Sequence, residues 1–206
     1  PTAYEQLSDP SGNLMPANKV GDFMDNNHIT YTSPTFDLGG ASITFDLGYA
    51  SDANDTETGD GGIPGENATY GTGQEAGVTI SYDALKIGVY GAERENPTKT
   101  NGTTQDAVQD EFNGVWYAKY SFGPVSIGYS ESYLDSGVSE TQTVATTTAK
   151  TLRTSGGIFE GEQIGIAFNV NDNFSVSYSE STETYNAQSE AASQDVDQKT
   201  DSIQFA

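Results

Sequence analysis

The stretch Val78-Thr79-Ile80-Ser81-Tyr82-Asp83-Ala84-Leu85-Lys86-Ile87-Gly88-Val89 decides the fold. On both sides of Asp83-Ala84, aliphatic or aromatic residues hold one parity and small or polar residues hold the other. Side chains alternate faces along a strand, so two such runs across a two-residue gap predict an antiparallel hairpin with one apolar and one polar face. The pattern recurs upstream in Ile43, Phe45, Leu47 and Tyr49, set against Thr44, Asp46 and Gly48. Downstream it returns in Val125, Ile127 and Tyr129, and again in Ile164, Ile166, Phe168 and Val170 with Phe174, Val176 and Tyr178. The intervening Ser126, Gly128, Gly165, Ala167, Asn169, Ser175 and Ser177 suit a watery interior better than a packed core. A soluble sandwich buries its apolar parity against a second sheet, whereas a transmembrane barrel turns it to lipid. Period two alone fits both, so the segments between the runs carry the choice.

Those segments come in two lengths. A strand over residues 27–34 ends at Pro34, a turn follows over 35–40, and a long strand covers 41–51. Hairpins are predicted over 74–82 with 85–93, over 111–122 with 125–133 around Gly123-Pro124, and over 158–170 with 174–180 around Asn171, Asp172 and Asn173. Between them lie polar loops over 52–73, 94–110, 134–156 and 181–197, rich in turn formers and poor in strand formers. Short turns therefore alternate with long loops, the asymmetry of outer-membrane barrels, which a soluble sandwich has no reason to share. Phe122, Phe168 and Phe174 lie near short turns, and Tyr49, Tyr129, Tyr133 and Tyr178 lie toward the long loops, as two interfacial girdles require.

Composition narrows the reading further. The 206 residues are 34% hydrophobic with a formal net charge of −22, values that suit a disordered chain, but the period-two spacing of the apolar residues argues for order. No run approaches the roughly 18 consecutive apolar residues of a spanning helix, so any membrane crossing falls to strands closed into a barrel. The chain has no cysteine, which fits a bacterial envelope protein and decides nothing alone. It opens at Pro1 without a methionine or signal peptide, and residues 199–206 read as a strand cut midway, so an interior fragment of a longer protein is expected.

Two motifs add a resemblance. Asn27-His28-Ile29-Thr30-Tyr31-Thr32-Ser33-Pro34-Thr35-Phe36 resembles the segment of Gram-negative general porins in which a basic residue, an alternating strand and Tyr-x-Ser-Pro-x-Phe follow the inward-folded third loop. Lys119-Tyr120-Ser121-Phe122-Gly123-Pro124-Val125-Ser126-Ile127-Gly128-Tyr129 resembles a porin hairpin. The resemblance implies an all-β fold, an antiparallel up-and-down transmembrane β-barrel of about sixteen strands of which this chain is an incomplete portion. It further implies a homotrimer in the bacterial outer membrane, in contact with lipid and lipopolysaccharide. Residues 1–206 would form a single barrel portion, with 1–26 as the inward constriction loop and 27–206 as hairpins; without the resemblance, 1–26 reads as an ordinary surface loop. Asp22 and Asp25 would then lie on or near the constriction, facing a basic wall. His28 stands where the family usually has arginine, replacing a fixed charge with one that titrates near neutrality. The inward parity offers Asp46, His28, Lys86, Arg94 and Lys119 as lumen charges. The early strands that carry the family's arginine cluster are absent, so the field across the constriction cannot be rebuilt from this side.

Other chemistries fare worse. Asp52, Asp55, Glu57 and Asp60 with Gly59, Gly61 and Gly62 do not match an EF-hand or nonapeptide spacing, so no cofactor is expected beyond weak divalent cation binding by acidic loops. Glu160 and Glu162 share a parity but lack a nucleophile, and a single histidine excludes a multi-histidine metal site. The charge of −22 and the absence of a phosphate-binding Gly-x-x-x-x-Gly-Lys leave nucleic-acid and hydrolase readings poor. The expectation is a non-enzymatic passive channel for ions and small hydrophilic solutes, mildly cation-preferring because roughly 8 Å of salt screening confines the influence of the acidic loops. The alternative is a secreted or surface β-sandwich of adhesin type that binds calcium or glycan through its loops. An outer-membrane enzyme barrel, which needs a histidine-dependent site at the rim, ranks last.

Overall fold

A computed structural model of the chain describes residues 28–51, 72–95, 105–107, 109–135, 137–140, 158–171, 174–186 and 196–205. All regular structure in them is strand: β1 (His28–Thr32), β2 (Phe36–Asp37), β3 (Ala41–Ala50), β4 (Gly73–Tyr82), β5 (Leu85–Arg94), β6 (Gln105–Ala107), β7 (Glu111–Phe122), β8 (Val125–Asp135), β9 (Val138–Glu140), β10 (Ile158–Asn171), β11 (Phe174–Asn186) and β12 (Val196–Phe205). Nine of these run antiparallel in the order β1-β3-β4-β5-β7-β8-β10-β11-β12, with β2 also on β3, and β6 pairs separately with β9. Each long strand thus neighbours those adjacent in sequence, an up-and-down sheet. Among the described residues β1 and β12 are its two edges.

The tight turns follow from their residues. Asp83 and Gly123 have φ of 52° and 54°, each at the first central position of a two-residue turn, where positive φ matches the twist of the strands that the turn joins. Pro124 sits at the second position, where no ladder donor is needed. The turn carbonyls remain in the sheet, Ala84 O accepting from Ser121 N–H and Pro124 O from Asn169 N–H. Pro34 acts similarly. β1 stops at Thr32, Ser33 Oγ accepts from Phe45 N–H at 2.9 Å, and the chain re-enters the ladder for the two residues of β2, which the sequence assigned to a turn.

The two faces are unlike. Seventeen large apolar side chains on β3–β11, among them Phe45, Ile80, Val89, Trp116, Ile127, Ile166 and Phe168, are 38–59% exposed on one face. At roughly 100 Å² for each half-exposed large side chain, that open face presents on the order of 1,500 Å² of apolar surface, against a few hundred for the largest patch on a typical soluble monomer. The opposite, sheltered face holds the buried residues of the sheet, including Tyr117, Ser130, Gln163 and Ser181. Beyond the apolar band the arrangement inverts on β8, β10 and β11. Toward the long loops, Leu134, Phe159 and Tyr185 are 0–2% exposed on the sheltered face, while Glu131, Glu160, Glu162 and Glu180 occupy the open parity.

The band also runs obliquely. Its loop-side edge is Tyr49 on β3 and Ile203 on β12, and Ile203 is level, through the register, with Ala41. That is about eight residues over seven strand steps, or roughly 3.9 Å of drop per 4.8 Å of width, a slope near 40°. The turns drift the same way, since the row of Phe122 and Val125 lies one step below that of Tyr82 and Leu85.

Candidate functional site

The sheltered face is the candidate site, and glycines shape it. Gly77 stands directly opposite Tyr90 and Gly88 opposite Tyr117, and each ring lies over the glycine beside it. A Cβ at Gly88 would sit 2.2 Å from the Tyr117 ring and one at Gly77 2.0 Å from the Tyr90 ring, so the tyrosines need those bare positions. The two rings stack at 6.5 Å and 8°. Glu75 likewise leans over Gly48.

This tyrosine layer anchors Asp46. Its Oδ1 accepts from Thr32 Oγ1 at 2.7 Å and its Oδ2 from the Tyr90 hydroxyl at 3.3 Å, while that hydroxyl also bonds Thr79 Oγ1 at 2.5 Å. Glu75 follows one row closer to the long loops, its Oε2 buried with no hydrogen-bond partner among the described residues. His28 is exposed at the start of edge strand β1.

The other sequence-selected charges fall into three situations. Arg94 closes β5 directly opposite Glu111, and the pair is buried, Nε to Oε1 at 2.7 Å and Nη2 to Oε2 at 2.9 Å. Its guanidinium therefore faces a carboxylate. Lys86 and Lys119 also face each other in register, with neither in an ion pair among the described residues. Asp22 and Asp25, with the whole constriction loop over 1–26, lie outside the described residues, as does the acidic run over 52–60. Among the described residues no group of three or more His, Cys, Asp or Glu side chains is arranged to hold a metal ion.

Sequence reading missed Glu75, Glu111 and the two tyrosines. Glu75 shares the polar parity of Thr79 and Ser81 within β4, a signal that was legible. Glu111 was hidden because the long loop before β7 conceals which of its residues opposes Arg94.

At the loop-side edge of the open face, aromatic side chains reach toward carboxylates. Tyr129 Oη donates to Glu131 at 2.6 Å and contacts Glu162 at 2.9 Å, Trp116 Nε1 donates to Glu131 at 3.0 Å, and Tyr178 Oη donates to Asp201 at 2.9 Å. Their apolar bodies lie in the band and their polar tips at its border. Compared with protein-family models, with curated proteins and with solved structures, the chain finds no match.

Proposed function

We propose that this chain forms part of the wall of an outer-membrane β-barrel pore of the general-diffusion porin kind, a passive channel for ions and small hydrophilic solutes. One observation carries the reading: on β8, β10 and β11 the apolar parity is exposed along a band and switches to the sheltered face beyond it, where the open parity becomes acidic. A strand wholly in water has no reason to change sides. A strand leaving a bilayer has one, because its solvent changes from hydrocarbon to water at that level.

Two further features support it. The slope of the band, near 40°, falls in the roughly 35–45° tilt of strands in membrane barrels. Trp116, Tyr129 and Tyr178 at the border, with their donors turned to carboxylates, have the amphipathic character of an interfacial girdle. The edges of the sheet would be closed by strands of the same or a longer chain, since open edges in lipid leave backbone groups unpaired. A homotrimer in contact with lipid and lipopolysaccharide is the assembly this reading carries with it.

Asp46 and Glu75 line the sheltered face, Arg94 is matched by Glu111, and Lys86 and Lys119 share that face, so the net field is small and the cation preference mild. No residue would perform chemistry. The test is conductance, in a planar bilayer, of this chain refolded together with the strands that close its edges. Discrete steps with a reversal potential of slight cation preference are expected. A silent bilayer, with protein soluble in the absence of detergent, would replace this account with a β-sandwich binding module whose open face is covered by a second layer.

A further inference from the structure

A groove of about 590 Å³ crosses the loop-side border of the open face, walled at one end by Phe112, Trp116 and Tyr133 and at the other by Glu131, Glu160 and Glu162. It lies across the strands from β5 to β11, four strand steps or about 19 Å. Glycines open it. Gly91 on β5 and Gly114 on β7 stand opposite each other on the open parity, and Phe112 is the nearest side chain to both, so the floor at the aromatic end is bare backbone. At the other end Glu131 and Glu162 stand directly opposite each other on β8 and β10, like charges in a position that destabilises an antiparallel pair. The Tyr129 hydroxyl lies 2.6 Å from one and 2.9 Å from the other, with a single proton for both. Glu160 follows on the same parity of β10. None of the three is in an ion pair among the described residues, and Lys199, on the same row, lies two strands away from Glu162.

We propose that this groove binds a small amphiphilic amine, an ammonium carried on a short aryl or alkyl arm. Its volume falls within the roughly 300–1,000 Å³ of small-molecule sites, room for one compact molecule and too little for a two-chain lipid. Charge complementarity fixes the head. Three carboxylates face a cation from one end, and an ammonium between Glu131 and Glu162 turns their mutual repulsion into shared attraction. The aromatic walls take the arm, and the indole of Trp116 beside Glu131 adds a ring face for the cation. A primary amine is favoured over a quaternary one. The carboxylates are short of donors, and a primary ammonium brings three N–H groups where a trimethylammonium brings none. The inference rests on the reading given above only in that the open face is uncovered at this border; lumen and conduction play no part in it.

Trp116, the one tryptophan of the chain, lines the groove and reports its occupancy. Phenylbutylamine is titrated into the chain refolded in dodecyl maltoside, a detergent without an ammonium, together with tryptophan-free strands that close its edges. Physiological salt screens the general attraction of a net charge of −22 for cations. A saturable change in Trp116 emission is expected. Uncharged phenylbutanol should bind about tenfold more weakly, phenylbutyltrimethylammonium several-fold more weakly, and methylammonium, which has no arm, should not saturate. Glu160→Gln and Glu162→Gln should each weaken phenylbutylamine about threefold and together about tenfold, whereas Asp83→Asn, which removes a charge at a distant turn, should leave it unchanged. Glu162→Gln also relieves an opposition of like charges, so its urea midpoint should not fall, and weaker binding cannot be mistaken for lost folding. Absence of saturable binding, equal affinity for phenylbutanol or the trimethylammonium, or undiminished affinity in the double glutamine variant would each overturn the proposal. Quenching of Trp116 by a brominated maltoside in the same samples keeps the two readings apart. Quenching without binding refutes the groove alone; neither quenching nor binding means that the open face is covered and refutes the membrane reading with it.

Discussion

Glu111→Gln is the substitution that most sharply separates a buried ion pair from a decorative one. Glutamine keeps the shape of the glutamate and leaves the Arg94 guanidinium where it is, with side chains only 4% and 8% exposed and two contacts at 2.7 and 2.9 Å. Removing one partner of such a pair typically costs about 3–5 kcal/mol, because the remaining charge keeps its desolvation penalty and loses its compensation. Replacing both partners removes both penalties, so Arg94→Met with Glu111→Leu should cost about 1 kcal/mol or less. Equilibrium urea unfolding of the chain refolded in lipid vesicles, followed by the fluorescence of its one tryptophan, Trp116, measures this double variant and the two singles, Glu111→Gln and Arg94→Met. The single variants should lose most of the folding free energy, the double variant little, and neither difference should shrink in high salt, since screening acts on exposed charges. A single substitution costing under about 1 kcal/mol, or a double variant as weak as the singles combined, would refute the reasoning.

Gly88→Val should destabilise by about 1–3 kcal/mol, because its Cβ would meet the Tyr117 ring at 2.2 Å, and adding Tyr117→Ala should recover part of the loss in the same unfolding assay. Depth along β10 gives a graded outcome. Ile166→Arg, within the apolar band, should cost about 2–4 kcal/mol of folding in vesicles, and Glu162→Arg, beyond its border, about 0–1 kcal/mol, whereas equal costs would contradict a band bounded by lipid.

Much of this architecture is written in period two. The hairpins of β4 with β5 and β7 with β8 have turns where the alternation breaks, because two-residue connections leave no freedom of register. β11 runs on to Asn186, six residues beyond its predicted end. In Ser181-Thr182-Glu183-Thr184-Tyr185-Asn186 the single large apolar residue lies on the opposite parity from Tyr178, so a search for one continuous apolar stripe stops at Glu180. That break in pattern was itself the signal of a border. β6 and β9 were lost inside polar loops, since three-residue pairings between distant segments leave no periodic trace. Of the site, the parity of Asp46, Lys86 and Lys119 was legible, as was the parity of Arg94, but not what each faces. Opposition across a long loop, as between Arg94 and Glu111, depends on a register that no local rule fixes.

The central claim is that the open face meets lipid along the band and water beyond it. The chain contains no cysteine, so single cysteines can be introduced at each position of β10, from Ile158 to Asn171, and labelled with a nitroxide without background. Accessibility to oxygen, which concentrates in hydrocarbon, is then compared with accessibility to a water-soluble nickel chelate in vesicles. Labels at Ile164, Ile166 and Phe168 should favour oxygen, those at Glu160 and Glu162 should favour nickel, and Gly165 and Ala167 between them should be low in oxygen. Open-face labels that favour nickel along the whole strand, with no change at Glu162, would contradict the membrane account.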